Sequence, residues 1–299
     1  QFELPRILGK ENLDLVHFPY FSVPLFYNGP FIVTIHDLII HHFPTGQAST
    51  LPYPLYWLKL QGYKFVIAHA AQNARKVIAV SEATKKEIVD HLGVSPAKVV
   101  VTYEGVEVGL RDSRYQYTNI SALGKYFLYV GNAYPHKNLE RLLPAFASVS
   151  EKHNDVSLVL VGRDDFFYRR LKKTYVHLPG IIFKTVESDA ELADYYKHAK
   201  ALIMPSLMEG FGLPPLEAMA NDCIVLASSI PSLREICNNA AIYFDPMDIS
   251  DIARKMSSAL LLTDGQKASL RKRGTARVKE FSWKKMAERT LQVYESCVS

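Results

Sequence analysis

The chain has 299 residues, 48% of them hydrophobic, enough for one large or two ordinary domains with a full core. Its 35 basic and 30 acidic residues leave a net charge of +5, which suits an anionic ligand or an acidic lipid surface but is too small and dispersed for nucleic acid. The three cysteines, Cys223, Cys237 and Cys297, lack metal-ligand spacing and read as reduced thiols of a cytoplasmic protein.

Residues 13–18 and 31–35 are short apolar runs between Pro and Gly turns, and both read as buried strands. The second ends in His36-Asp37-Leu38. Ligands of open α/β sheets sit beyond the carboxyl ends of strands, so His36 is a candidate site residue; the alternative is a histidine that only holds the loop. His36, Asp37, His41 and His42 together fit no common zinc spacing, and no metal is expected there. Residues 52–73 read as a long helix rich in aromatics (Tyr53, Tyr56, Trp57, Tyr63, Phe65) that packs on the sheet or, in part, faces an acceptor or a membrane surface. A strand over 76–80 leads to Ser81 as N-cap and Glu82 in the first turn of a helix to about Leu92. Another strand, 98–103, runs into Glu104. The alternation implies a parallel, doubly wound sheet.

Residues 107–124 are polar and without periodicity, and the interdomain linker is placed there. A second strand–helix series opens at 126–130 and runs into Gly131-Asn132-Ala133-Tyr134-Pro135-His136-Lys137-Asn138. Asn138 reads as an N-cap, with Leu139, Leu142, Leu143 and Phe146 at helical spacing behind it. Pro144 inside that helix is expected to weaken or kink it. Lys137 is placed to meet an anion, the bland alternative being a solvated lysine. A strand over 156–161 ends at Gly162-Arg163, where Arg163 is either a second cation for the anion or a partner of Asp164 or Asp165. Ser188 and Glu191 have capping-box spacing.

The strand Ala201–Met204 is followed by a loop from Glu209 to Leu213 and a helix marked by Pro214 and Pro215. Gly210 and Gly212 let backbone N–H groups approach a ligand, and a helix N-terminus behind them attracts an anion. Glu209 and Glu217 would repel a phosphate; they suit hydroxyls of a sugar and a ribose. Two solvated glutamates are the alternative. A strand over 223–227, the turn Ser228–Glu235, a strand over 241–244 and helices over 248–262, 266–280 and 282–298 complete the chain.

Glu209-Gly-Phe-Gly-Leu-Pro-Pro-Leu-Glu217 resembles the E-x7-E element of the retaining glycosyltransferases of family 4, the glycogen-synthase-like group 1. The resemblance extends to Thr34-Ile-His-Asp-Leu38, to Gly131-Asn-x-x-Pro-His-Lys-Asn-Leu139, to Ser228–Glu235 and to Phe281-Ser-Trp283. It implies a GT-B fold: two Rossmann-like α/β domains with parallel sheets facing a cleft, here 1–110 and 120–282, with helix 283–299 crossing back to the first. It implies transfer of a hexose from a nucleotide-diphosphate sugar to a glycan or lipid-linked glycan hydroxyl, with retention and without cofactor or metal. Glu209, His36 and Lys137 are then the catalytic residues; Glu217, Gly210, Phe211, Gly212, Leu213, Gly131, Asn132 and Arg163 hold the donor. Many relatives carry Arg where Asn132 stands, so one expected phosphate cation is missing. The His-Lys-Asn-Leu style points to GDP-mannose.

The N-terminal half is short for this fold and begins without Met, so the first domain is expected to be truncated or minimal. No segment is apolar enough to span a bilayer; a cytoplasmic enzyme in peripheral membrane contact is expected. A GT-B epimerase or phosphorylase and a non-catalytic nucleotide-sugar-binding fragment are the alternatives. No Gly-x-Gly-x-x-Gly follows a strand, which argues against a nicotinamide dehydrogenase.

Overall fold

The structure is a computed structural model that describes residues 3–44, 51–107 and 120–298. Of the predicted linker, residues 108–119 lie outside that description. The described residues form two compact units. One runs up to Gly105 and takes in Glu209–Phe211 and the segment from Trp283; the other comprises Val106–Met208 and Gly212–Ser282.

The first unit contains α1 (Glu3–Leu8), β1 (Val16–Phe18), β2 (Phe31–Ile35), α2 (Ile39–His42), α3 (Tyr53–Asn73), β3 (Val77–Ala79), α4 (Glu82–Leu92) and β4 (Val99–Val101). Its strands form one parallel sheet in the order β1-β2-β3-β4. A parallel sheet needs cover on both faces. On one face Phe31, Val33 and Ile35 pack in a cluster with Ile67 and Ala70 of α3 and Ile88 of α4. On the other, Ile32 and Ile78 pack with Val293 and Cys297 of the helix Trp283–Val298. His17 ties that helix down: its Nδ1 lies 2.7 Å from the Tyr294 hydroxyl and its Nε2 2.8 Å from Thr34 Oγ1. Burial, then the charge of His36, lowers the His17 pKa. Ser81 caps α4 as its sequence predicts, accepting the Thr84 N–H at 3.0 Å, and Gly93 closes it in the left-handed conformation. The helix α3 buries Leu60, Ile67, Ala70 and Ala71 yet leaves Tyr53, Leu55, Trp57, Leu58 and Phe65 exposed, so core packing accounts for only part of its apolar surface.

The second unit runs β5 (Lys125–Val130), α5 (Leu139–Ser150), β6 (Val156–Val161), α6 (Phe166–Tyr175), β7 (Ile181–Lys184), α7 (Asp189–His198), β8 (Ala201–Met204), α8 (Leu213–Ala220), β9 (Val225–Ser228), α9 (Pro231–Cys237), β10 (Ala241–Phe244), α10 (Ile249–Leu260) and α11 (Asp264–Val278). The sheet order is β10-β9-β8-β5-β6-β7, with parallel pairing throughout. The chain builds outward from β5 to β7, then returns to β5's other side and builds outward again. Strand order therefore reverses between β5 and β8, where loops leave adjacent strand ends in opposite directions.

One expectation at α5 is corrected. Asn138 precedes the helix but does not cap it with its side chain; it sits at φ 61° and its buried amide Nδ2 donates to the carbonyls of Pro205 (3.0 Å) and Pro246 (2.8 Å). Asparagine is among the few residues that tolerate that backbone conformation. Pro144 stays within α5; the carbonyl of Glu140, which loses its usual i+4 donor there, receives the Tyr175 hydroxyl at 3.4 Å. Ser188 caps α7 through the Glu191 N–H, while the return bond from Glu191 goes to the N–H of Glu187.

Replacing Asn138 by Asp keeps the shape but sets a carboxylate against two buried carbonyls. Asn138→Asp and Asn138→Ala are both expected to cost about 3 kcal/mol, the sum of two lost bonds and their unpaired acceptors. Urea unfolding measures this; an unchanged midpoint in either variant would remove the tie's structural role.

Candidate functional site

The loop after β5 and the loop after β8 start at the strand-order reversal of the second unit and are bound to each other. Besides the Asn138 bond to Pro205, the Leu207 N–H donates to the His136 carbonyl at 2.8 Å. Gly131 opens the first loop at φ 148°, donating to the Val161 carbonyl and accepting the Tyr168 hydroxyl at 2.8 Å. A Cβ at Gly162 would lie 2.3 Å from the Gly131 carbonyl oxygen, so glycine there lets the turns after β5 and β6 touch. Asn132 forms a local turn, its Oδ1 accepting the Tyr134 N–H at 3.2 Å, and cannot supply the absent positive charge. Lys137 is half-buried and ends the turn Pro135–Lys137 that leads into α5. Arg163 is exposed just beyond β6. The pairing offered for it is not made with either aspartate: Asp164 meets Lys172 at 2.7 Å, and Asp165 caps α6 through the N–H groups of Phe167 and Tyr168.

Beyond β8, Gly212 precedes α8 at φ 96°, and a Cβ there would meet Leu233 at 2.8 Å. A helix leaves its first N–H groups unpaired, but Pro214 and Pro215 have none. The donors of this terminus reduce to Gly212 and Leu213. Glu217 stands on the second turn and accepts the hydroxyl of fully buried Tyr196 at 2.8 Å. Burial pushes the Glu217 carboxyl above its ordinary range, the tyrosine bond opposes this, and Asp189 adds to it.

Glu209, Gly210 and Phe211 belong to the first unit, where they lie beside His36. The Gly210 carbonyl receives the Ser81 hydroxyl at 2.5 Å and the Thr84 hydroxyl at 3.0 Å, both at the start of α4. A Cβ on Gly210 would fall 1.9 Å from the backbone oxygen of His36. Phe211 faces Tyr103, with ring centroids 6.2 Å apart. His36 is the centre of this group: Nδ1 lies 3.1 Å from Glu104 Oε1, and Nε2 donates to the Pro19 carbonyl at 3.1 Å. The bond to Glu104 raises the His36 pKa, against desolvation and with help from Pro19. The sequence reading missed Glu104, Ser81 and Thr84 as parts of the site. Glu104 follows β4 as His36 follows β2, and that parallel placement was its available signal.

Two outcomes follow. Gly210→Ala forces backbone against backbone, where no rotamer gives relief, and is expected to destabilise by about 1–3 kcal/mol or more; thermal unfolding at wild-type level would show that the close approach is not required. A folded-state pKa above 6.5 for His36 contributes stability that is present below that value and is lost as pH rises through the raised pKa. The stability difference between wild type and Glu104→Gln should therefore be largest on the acid side and shrink on the alkaline side. An NMR titration placing His36 at or below 6.5 would contradict the pairing.

Residues 116–277 match the family model described as Glycosyl transferases group 1, and residues 1–110 match Glycosyltransferase Family 4. The two matches fall on either side of residues 111–115. The O-antigen chain mannosyltransferase RfbU of Salmonella typhimurium is 29% identical over 247 residues, covering 81% of this chain and 64% of its own length. The chain thus spans just under two thirds of that relative. Sucrose-phosphate synthase of Thermosynechococcus elongatus superposes with a TM-score of 0.77 at 22% identity, over 98% of this chain and 76% of its own. HepE of Anabaena, solved with UDP-glucose, superposes with a TM-score of 0.75 at 18% identity, over 98% of this chain and 80% of its own. With two parallel α/β sheets and both models matched, the chain belongs to the group 1 glycosyltransferases, a family of transferase enzymes with the GT-B fold.

Proposed function

We propose that the chain takes a hexose, first of all mannose, from a nucleotide-diphosphate sugar and delivers it to a glycan or lipid-linked glycan hydroxyl with retention of configuration. The observation that carries this reading is Glu217, a carboxylate that accepts the Tyr196 hydroxyl on the second turn of α8, the helix that Gly212 and Leu213 open beyond the strand-order reversal. Its Oε1 is the oxygen offered to a ribose hydroxyl, while the two N–H groups and Lys137 face the diphosphate. Glu209 takes the sugar hydroxyls, and His36 reaches one by exchanging its Nε2 bond to the Pro19 carbonyl for it. The acceptor oxygen bonds to the anomeric carbon as the bond to the diphosphate breaks, and the acceptor proton passes to the leaving diphosphate on the same face. The protein's share is to stabilise charge developing on that phosphate and to hold the sugar. Arg163, exposed after β6, is the cation that offsets Asn132.

The mannosyl assignment rests on the style of the Pro135–Leu139 turn and on the likeness to RfbU. Among the described residues no helix is long and apolar enough to cross a membrane. A cytoplasmic protein that meets a lipid-linked acceptor at the membrane face fits the exposed apolar side chains of α3.

Thermal unfolding with GDP, UDP, ADP and their sugars tests the donor site. Saturation at about a hundred times the dissociation constant should add roughly 2.7 kcal/mol for one nucleotide family only. Glu217→Gln keeps an acceptor for Tyr196 and is expected to retain the unliganded stability while losing most of that gain. No response to any nucleotide, or an undiminished response in Glu217→Gln, would overturn the assignment.

A further inference from the structure

The four residues that cluster in sequence as metal-ligand types separate in the structure. His36 turns to Glu104 and Pro19, Asp37 Oδ1 accepts the Ile39 N–H at 2.9 Å, and His41 Nδ1 meets the Tyr63 hydroxyl at 3.1 Å. His42 points instead at α4, where Glu87 and His91 stand one helical turn apart. Its Nε2 lies 2.5 Å from Glu87 Oε2, and His91 Nε2 lies 3.3 Å from the same oxygen. One ligand atom from each of the three falls within 4.8 Å of the other two. Lys86, the neighbouring cation on α4, pairs with Asp90.

We propose that His42, Glu87 and His91 form a binding site for a late first-row divalent cation, Zn2+ being the best fit. Two imidazole nitrogens and one carboxylate oxygen make the donor set of three-ligand zinc sites, whereas Mg2+ and Ca2+ select all-oxygen shells. Tetrahedral zinc bonds of about 2.0–2.2 Å set donors about 3.4 Å apart, so His91 Nε2 and Glu87 Oε2 already stand at that spacing while His42 Nε2 has to draw back by about 1 Å from the carboxylate. All three side chains are partly exposed, at 35%, 30% and 41%, which gives the ion a way in and leaves a position open to water. None of the three is a donor-site residue, so the ion is structural: it fastens α2, which follows His36, to α4, whose first turn holds the Gly210 carbonyl.

The test uses untagged protein, because an added histidine tag would bind the probe. Calorimetric titration with Zn2+ should show one saturable equivalent, and Zn2+ but not Mg2+ should raise the unfolding temperature. His91→Ala and Glu87→Gln change exposed groups on α4, and circular dichroism checks that each stays folded. Both should weaken Zn2+ binding at least about tenfold, while His177→Ala, at an exposed histidine elsewhere, should leave it unchanged. Absence of saturable Zn2+ binding in the wild type overturns the proposal. So does binding that His91→Ala retains or that His177→Ala abolishes.

Discussion

The second unit depends on one buried amide. The Asn138 side chain is closed off from water, so its donors must be met by protein, and they are met by the carbonyls of Pro205 and Pro246. Those carbonyls lie after β8 and after β10, while Asn138 itself follows β5. The tie fixes where three strand ends release their loops. Lys137 is one residue before it, and Gly212, the residue before α8, stands a few residues beyond Pro205. The backbone at φ 61° aims the amide, which is why asparagine rather than an ordinary capping residue stands here.

In the first unit the comparable constraint is a missing side chain. Gly210 lets its chain segment lie against the His36 backbone, and Ser81 and Thr84 hold it there through its carbonyl. Glu209 is thereby placed beside the loop that carries His36. Both nitrogens of the His36 ring face acceptors, which favours the doubly protonated form and explains the direction of its titration. The carboxylate of Glu217 is shifted by burial, whereas His36 is shifted by a specific partner.

Much of this was legible in the chain. Apolar runs bounded by Pro and Gly located strands that the structure keeps within a few residues, and Ser81 announced its helix. The E-x7-E stretch marked the α8 terminus, whose own N–H donors come down to Gly212 and Leu213 because Pro214 and Pro215 have none. Polar side chains with several uses were harder to read. Asn138 resembles an N-cap in sequence, but its partners stand at Pro205 and Pro246 and only the fold brings them near. Asp165 was weighed as a partner of Arg163 when it caps α6, a helix the pattern did not announce. Glu104 has no local motif; its meaning comes from β2 and β4 sharing a sheet.

The helix Trp283–Val298 covers one face of the first unit's sheet, and His17 meets Tyr294 from 277 positions away. Every strand of that sheet leaves the ribosome before its cover is made. At about 5–20 residues per second, Ile32 and Ile78 wait roughly ten to fifty seconds for Val293 and Cys297. The second unit's residues are all available before that helix emerges. Synthesis order and completion order are thus inverted: the half made first closes last, and until then it offers a nascent apolar surface for a chaperone to guard.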